Sequence, residues 1–381
     1  MAPFKLWPLL AILFALCAAP TSFGGKPSSH AQALIEELGL RPADKPMAEY
    51  PGWKPQRVAV MLTSRAGTTA TSIEEEFQAA AGNVELVFIR PGGKKLSREL
   101  LTGVDGVIGM CTPALLQQAD ASLRWVHNYS VGMDYCKGFS EAQLTDIVFT
   151  NNKRLSGPAI AEHTIAMLLA LTHNLPAYHQ AQRELKWHRK PSRNITFGEL
   201  KGKTLLVVGL GGIGTEIAWR AHGLGMRVIA TRNSSRNGPE YVDYVGLPNE
   251  LLALAAQADV VVNALPLTPQ TNGLFDTAFF DAVKPNAIFL AVGRGKSTVT
   301  SDLIAALEAG KLFGAGLDVT DPEPLPKTNP LWEMPNVILT PHVSAAGPDS
   351  TKRTMTIAVE NLRRYAEGEP LLNLVDMTRG Y

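Results

Sequence analysis

Three short segments of this sequence end in side chains fit for chemistry on a carbonyl group. AIFLAVGRG carries Arg294, GAGLDVTDPEPLP carries Glu323, and NVILTPHVSAAG carries His342. An imidazole titrates near neutral pH and can hand a proton to a carbonyl oxygen. A carboxylate beside it would orient the ring. A guanidinium can grip a substrate carboxylate through paired hydrogen bonds and polarise the reacting carbonyl. Taken singly, an Arg, Glu or His at a strand end is more often a capping or surface group. The three together, each behind an apolar run, point to a site.

A fourth segment supplies the partner for such chemistry. GLGGIG places Gly209, Gly211, Gly212, Ile213 and Gly214 between the apolar run TLLVV and the helical pattern TEIAWRAHGLG. In a strand–turn–helix unit the first glycine makes the tight turn. The second lets backbone approach a pyrophosphate, and the third lets helix and strand pack closely. The helix N-terminus then offers free N–H groups to phosphate. The following strand ends in Thr231, Arg232, Asn233, Ser234, Ser235, Arg236, without the carboxylate that usually accepts from a ribose 2′-OH. Two guanidiniums and the hydroxyls of Thr231 and Ser234 suit a 2′-phosphate, so NADP is favoured and NAD is the alternative.

These residues need a frame that brings strand ends together. From Arg57 the chain alternates apolar runs (RVAVML, VELVFI, GVIGM, LRWVHNY, DIVFTN) with helical patterns, and from Thr204 a second series follows. That series reads TLLVVG, MRVIAT, ADVVVNAL, AIFLAV, GAGLDV and NVILTP, with a weak strand near Tyr244. Short runs rich in Val and Ile, separated by helices, predict buried parallel strands. The fold class is therefore α/β, with two doubly wound parallel-sheet domains and a cleft between them, where ligands meet the carboxyl ends of strands. Helices are predicted over 31–40, 158–172 and 348–367, with an irregular tail beyond Pro370.

The four motifs, with ADVVVNALPLTPQTNGLF, resemble the D-isomer-specific 2-hydroxyacid dehydrogenases over residues 55–370. The resemblance implies a discontinuous flavodoxin-like substrate domain, 50–157 with 345–381, and a Rossmann domain over 158–344. It implies hydride transfer between NAD(P)H and a small 2-keto acid, giving a D-2-hydroxy acid; glyoxylate and hydroxypyruvate are plausible substrates. His342 and Glu323 would form the proton-donor pair, and Arg294 would bind the substrate carboxylate and carbonyl. Backbone N–H groups of the turn Ser130-Val131-Gly132 would meet the same carboxylate. Asp318 would fix the nicotinamide carboxamide, and Pro266, Thr271, Val292 and His342 would line the cofactor. A homodimer through 158–172 is implied too. Two positions depart from the family: Ala291 stands where Asn is usual, which would loosen the loop of Arg294, and Arg232 replaces the acidic ribose residue. Two alternatives remain. One is a formate- or phosphite-type dehydrogenase, although formate dehydrogenases resemble a Gln at the position of Glu323. The other is a dinucleotide-sensing corepressor-like binding protein.

Composition narrows the rest. A net charge of +1 without long basic blocks gives no nucleic-acid footprint. Cys17, Cys111 and Cys136 are too few for a disulfide framework, show no metal-ligand spacing, and read as buried thiols. Lys5, the uncharged run Leu6–Ala19 and the small residues 20–25 read as a secretory signal over 1–25, implying export. A cytoplasmic chain starting at Met47 is the alternative. No stable membrane span is expected in the remaining chain. His163, His173 and His188 fall on helices as packing or surface groups, and Trp53, Trp187 and Trp332 as packing anchors.

Overall fold

The computed structural model describes residues 27–62, 70–90, 92, 96–187, 189 and 198–380. The leader reading over 1–25, Cys17 and His188 lie outside the described residues. Strands β1 (Arg57–Met61), β2 (Glu85–Ile89), β3 (Gly106–Gly109), β4 (Trp125–Asn128) and β5 (Val148–Asn151) form one parallel sheet, ordered β2-β1-β3-β4-β5. Strands β6 (Thr204–Val208), β7 (Arg227–Thr231), β8 (Tyr244–Gly246), β9 (Val260–Asn263), β10 (Ala287–Ala291), β11 (Leu312–Leu317) and β12 (Val337–Leu339) form the other, ordered β12-β11-β10-β9-β6-β7-β8. The first order is flavodoxin-like, and the second reverses direction between β6 and β9, the usual place for a ligand crevice. The α/β architecture is thus the one the apolar runs imply. Interior strands such as β3, β4, β6 and β9 are wholly buried, whereas edge strands β2 and β12 are half-buried. Helices cover both faces of each sheet, so the interior strands carry no alternating polar face.

The chain crosses between the sheets twice. The helix Gly157–Thr172 follows β5 yet packs on the second sheet, its Ile160, Met167 and Leu168 joining the core of Leu205, Val207 and Ile288. The helix Pro348–Glu367 follows β12 yet returns to the first sheet. There Met355, Leu362 and Tyr365 join Val58, Val60 and Trp125. The Tyr365 ring stacks on Trp125 at 4.7 Å, and its hydroxyl donates to Asp105 Oδ1 at 2.8 Å. Burying each large apolar side chain of that helix contributes about 1.5–3 kcal/mol, which ties the returning segment to the first sheet. The N-terminal helix, Ser29–Glu37, is capped by Ser28 Oγ accepting from Ala31 N–H and docks Leu34 against Ile357 and Leu372.

Two cysteines and two tryptophans depart from expectation. Cys111 and Cys136 are joined in a disulfide rather than free thiols. They follow β3 and β4, and neighbouring parallel strands bring their Cα atoms to 5.0 Å, a proximity that counting cysteines along the chain does not register. Trp53 does anchor packing, donating from Nε1 to Tyr365 O at 2.9 Å, but Trp187 is 95% exposed and Trp332 54%.

The first sheet also buries a neutral histidine. His127 Nδ1 lies 2.9 Å from Thr150 Oγ1, whose hydroxyl already accepts from Trp125 Nε1, and Asn361 Nδ2 points at the same ring nitrogen. Nδ1 is therefore an acceptor and the proton sits on Nε2. Burial drives the pKa down to about 4 from its ordinary 6.5. A folded-state pKa below the unfolded one gives stability that is full above 6.5 and lost as pH falls towards 4. Urea unfolding from pH 7 to 4 should show the wild type losing about 3 kcal/mol more than His127→Gln. Parallel losses in the two proteins would show that His127 is not the buried neutral group.

Candidate active site

His342 reaches the cleft because β11 and β12 end side by side. Leu317 pairs with Leu339, so the next residues, Asp318 and Thr340, emerge together. Asp318 is completely buried, and its carboxylate accepts from Thr340 Oγ1 (2.6 Å), Val343 N–H (2.9 Å) and Ser344 N–H (3.1 Å). Burial pushes its pKa up, but the bonds from Ser344, Thr340 and Val343 outweigh this and hold it below the usual carboxylate range. Its backbone carbonyl also accepts from His342 N–H at 2.8 Å. His342 itself has φ 53, a left-handed conformation that a β-carbon resists, and it is fixed by this two-sided grip. Asp318, expected to fix the cofactor amide, has the Thr340 hydroxyl and the backbone N–H groups of Val343 and Ser344 as protein partners of its carboxylate. His163, read as a packing or surface group, supports the same arrangement, its Nε2 lying 2.9 Å from Thr340 Oγ1.

Glu323 comes from the loop after β11, and its Oε2 lies 3.0 Å from His342 Nδ1. The carboxylate can only accept, so Nδ1 carries a proton and Nε2 is left for a reacting atom. Both side chains are about one-third exposed, as groups that must meet a ligand should be.

Arg294 approaches from the end of β10. Its Nε donates to Asp134 Oδ1 at 3.0 Å and its Nη1 to Gly293 O at 2.9 Å. Nη2 lies over Gly132, where a β-carbon would sit only 1.7 Å away. The guanidinium thus faces the turn Ser130-Val131-Gly132 across the domain boundary. The looser loop expected from Ala291 is not found. Asn263 Nδ2 donates to Ser297 Oγ at 2.7 Å, and Ser297 Oγ donates to Arg294 O at 2.6 Å, so a side-chain relay holds the loop. Asp134 had no motif to announce it.

The glycine loop fits a dinucleotide. Gly209 has φ 101, and a β-carbon on Gly214 would come within 2.2 Å of Gly209 O, so both positions demand glycine. A β-carbon on Gly211 would meet nothing within 4 Å, which leaves that face of the turn open to a ligand. Gly212 and Ile213 open the helix Gly212–Gly223, whose first N–H groups have no acceptor within the helix. Thr231 is buried at the end of β7, and its carbonyl accepts from Leu210 N–H at 2.9 Å. Thr271 Oγ1 donates to Pro266 O at 2.7 Å, closing the loop after β9, while Val292 N–H donates to Asn263 O. Of the two guanidiniums expected at a 2′-phosphate, one is committed within the protein. Arg236 is taken by Glu250 (2.7 Å) and by the Tyr244 hydroxyl (2.8 Å), and Glu250 is held down at about 2 by Leu247 N–H, Tyr244 and Arg236. Arg232 is bonded to Asn237 O at 2.9 Å, and Ser234, close to it in sequence, is exposed.

Comparisons with known proteins agree with this frame. The family described as D-isomer specific 2-hydroxyacid dehydrogenase, NAD binding domain, matches residues 165–344. A glyoxylate reductase of Korarchaeum cryptofilum is 31% identical over 313 residues, 80% of this chain and 92% of its own. The glyoxylate reductase/hydroxypyruvate reductase of Homo sapiens is 33% identical over 288 residues, 72% and 86% of the two chains. A D-isomer specific 2-hydroxyacid dehydrogenase from Xanthobacter autotrophicus, solved with NADPH and MES, superimposes with a TM-score of 0.68 at 28% identity, over 85% of this chain and 99% of that one. This chain belongs to the D-isomer-specific 2-hydroxyacid dehydrogenases. It is an NAD(P)-dependent oxidoreductase working between 2-keto and 2-hydroxy acids.

The grip of Asp318 separates support from chemistry. Asp318→Asn replaces one buried acceptor oxygen by a donor facing a donor, and should lower unfolding stability by about 1–3 kcal/mol. With His342 released, kcat should fall about tenfold or more. His342→Gln should lose activity without that loss of stability. An Asp318→Asn protein as stable and active as the wild type would remove the anchoring role.

Proposed function

We propose that the chain reduces a small 2-keto acid, of the glyoxylate or hydroxypyruvate class, to a D-2-hydroxy acid with NADPH preferred over NADH. The observation that carries this reading is the His342–Glu323 pair, at 3.0 Å, in a cleft that Arg294 enters from the neighbouring strand. When bound, the nicotinamide supplies the hydride to the carbonyl carbon. Arg294 and the turn 130–132 hold the substrate carboxylate, with Nη2 as the near donor. His342 donates its Nε2 proton to the carbonyl oxygen, and Glu323 keeps the ring aligned through Nδ1–H as the imidazolium becomes imidazole. Glu323 and His342 together support this over a formate-type reaction. Arg232, with no carboxylate at the end of β7, supports the NADPH preference.

The test follows cofactor absorbance with glyoxylate, hydroxypyruvate and pyruvate. NADPH should be oxidised in preference to NADH, and His342→Ala should cut kcat by about 10²–10⁴-fold. Arg232→Ala should erase most of the NADPH preference by raising KM for NADPH about tenfold. Equal use of both cofactors by the wild type would sink the cofactor claim. Undiminished turnover by His342→Ala would sink the proton-donor assignment.

We also propose a homodimer built on the helix Gly157–Thr172 and its neighbours. A recess of about 530 Å³ lies between that helix and the helix Gly212–Gly223, lined by Ile165, Leu169, Trp219 and Leu224. Trp219 is 56% exposed, and Leu175, Tyr178 and Trp187 lie exposed on the segment that follows the first helix. Apolar surface of this kind marks a covered face. Sedimentation equilibrium should give about twice the chain mass of 41.1 kDa, and Trp219→Glu should shift it towards one. A wild type that sediments as a monomer at micromolar concentration would overturn this.

A further inference from the structure

The turn that faces Arg294 is held in an unusual way. Four consecutive carbonyls, those of Tyr129, Ser130, Val131 and Gly132, are each taken by the side-chain amide of a buried asparagine. Asn152 Nδ2 donates to Tyr129 O at 2.8 Å, and Asn151 Nδ2 to Val131 O at 2.6 Å. Asn128 Nδ2 donates to both Ser130 O (3.2 Å) and Gly132 O (3.0 Å). All three asparagines are 1% exposed. Two have their orientation fixed from behind: Asn128 Oδ1 accepts Cys111 N–H at 3.1 Å, and Asn151 Oδ1 accepts Lys153 N–H at 3.1 Å.

In a trans peptide the N–H of one residue points opposite to the carbonyl of the residue before it. With four successive carbonyls drawn toward these asparagines, the N–H groups of Ser130, Val131, Gly132 and Met133 point away from them. Among the described residues none of these four N–H groups donates to a backbone carbonyl. Arg294 Nη2 sits over the same turn, at Gly132. Adjacent N–H groups facing one way form a concavity suited to an anion. We infer that Asn128, Asn151 and Asn152 are positioning residues that set the polarity of this turn, so that its backbone presents donors to the substrate carboxylate. The inference rests on the keto-acid reading above and adds to it the residues that make the carboxylate site. The Cys111–Cys136 disulfide closes the far end of the same loop, next to the Asn128–Cys111 bond.

The test replaces amide donors without adding charge. Asn128→Leu and Asn151→Leu keep a four-atom side chain branched at Cγ, and Asn336→Leu, which removes an amide bonded to Phe313 O on the second sheet, is the control. The KM for glyoxylate and the dissociation constant of oxalate, measured by calorimetry on NADP⁺-loaded protein, should both rise about tenfold in the first two variants. Affinity for NADPH should stay within about threefold and kcat should change less than KM, a split that general loss of structure does not give. Asn151→Ser keeps a shorter donor and should fall between wild type and Asn151→Leu. If the leucine variants fail to bind NADPH, Asn151→Ser and its oxalate affinity decide the matter. A wild type that turns over no keto acid yet binds oxalate, with binding weakened in the variants, would sink the substrate reading and leave this inference standing. Wild-type protein that binds no oxalate, or variants that match the wild type or are no worse than the Asn336→Leu control, would overturn it.

Discussion

A guanidinium that is to recognise a carboxylate in a cleft between two domains must be aimed before the ligand arrives. It must also be compensated while it waits. In this protein both demands meet in one contact, Arg294 Nε to Asp134 Oδ1 at 3.0 Å, with the two side chains only 17% and 11% exposed. The arginine comes from the end of β10 in one sheet, and the aspartate from the loop after β4 in the other. Their contact therefore fixes the guanidinium and the spacing of the two strand ends at once. An arginine suits this task better than a lysine, because its planar fork can hold Asp134 with one edge and keep another donor for a ligand. The relay from Asn263 through Ser297 to Arg294 O fixes the backbone behind that fork.

The His342 side of the cleft is built on a second fixed carboxylate. Asp318 is wholly buried, where an isolated charge would be costly, and its carboxylate is tolerated because three donors from the β12 end reach it, Thr340 Oγ1 and the N–H groups of Val343 and Ser344, while His342 N–H donates to the Asp318 backbone carbonyl. These bonds convert the parallel register of β11 and β12 into a defined position for His342, including its left-handed backbone. Glu323 then needs to supply only one further restraint, at Nδ1. The three acidic residues of the cleft divide the work: Asp134 aims the arginine, Asp318 aims the histidine backbone, and Glu323 aims the imidazole ring.

Part of this arrangement was legible in the residues alone, and the boundary has a physical meaning. Interior parallel strands are buried on both faces, so β1, β3, β4, β6, β7 and β9–β11 stand out as apolar runs, as does the buried edge strand β5, and even the half-buried β12 could be located. Glycine requirements are local too, set by a turn such as Gly209 or a close approach such as Gly214 to Gly209 O. What stayed hidden depends on which strands are neighbours. Arg294 and Asp134 are 160 positions apart, and nothing near Asp134 marks it as a partner. Cys111 and Cys136 meet only because β3 and β4 pair. The commitment of Arg236 to Glu250 needs the fold of the segment around β8, and the exposed face of Trp187 resembles a core residue until its surroundings are known.

The same pairings mean that the proposed carboxylate site cannot rest on the arginine alone. Asp134 already offsets much of the charge on Arg294, so a substrate carboxylate arriving at Nη2 meets a guanidinium shared with another anion. At an effective dielectric near 20, two unit charges 4 Å apart interact by about 4 kcal/mol, and a comparable repulsion from Asp134 acts on the incoming group from slightly farther away. Neutral donors escape this cancellation. On the inference drawn for the turn 130–133, its N–H groups would attract the carboxylate without an ion pair to undo and, oriented before it binds, would lose little freedom on binding. Specificity for a carboxylate next to a carbonyl then follows from two fixed frames. On the proposed reading, the turn and Arg294 locate one end of the molecule and His342 Nε2 the oxygen at the other.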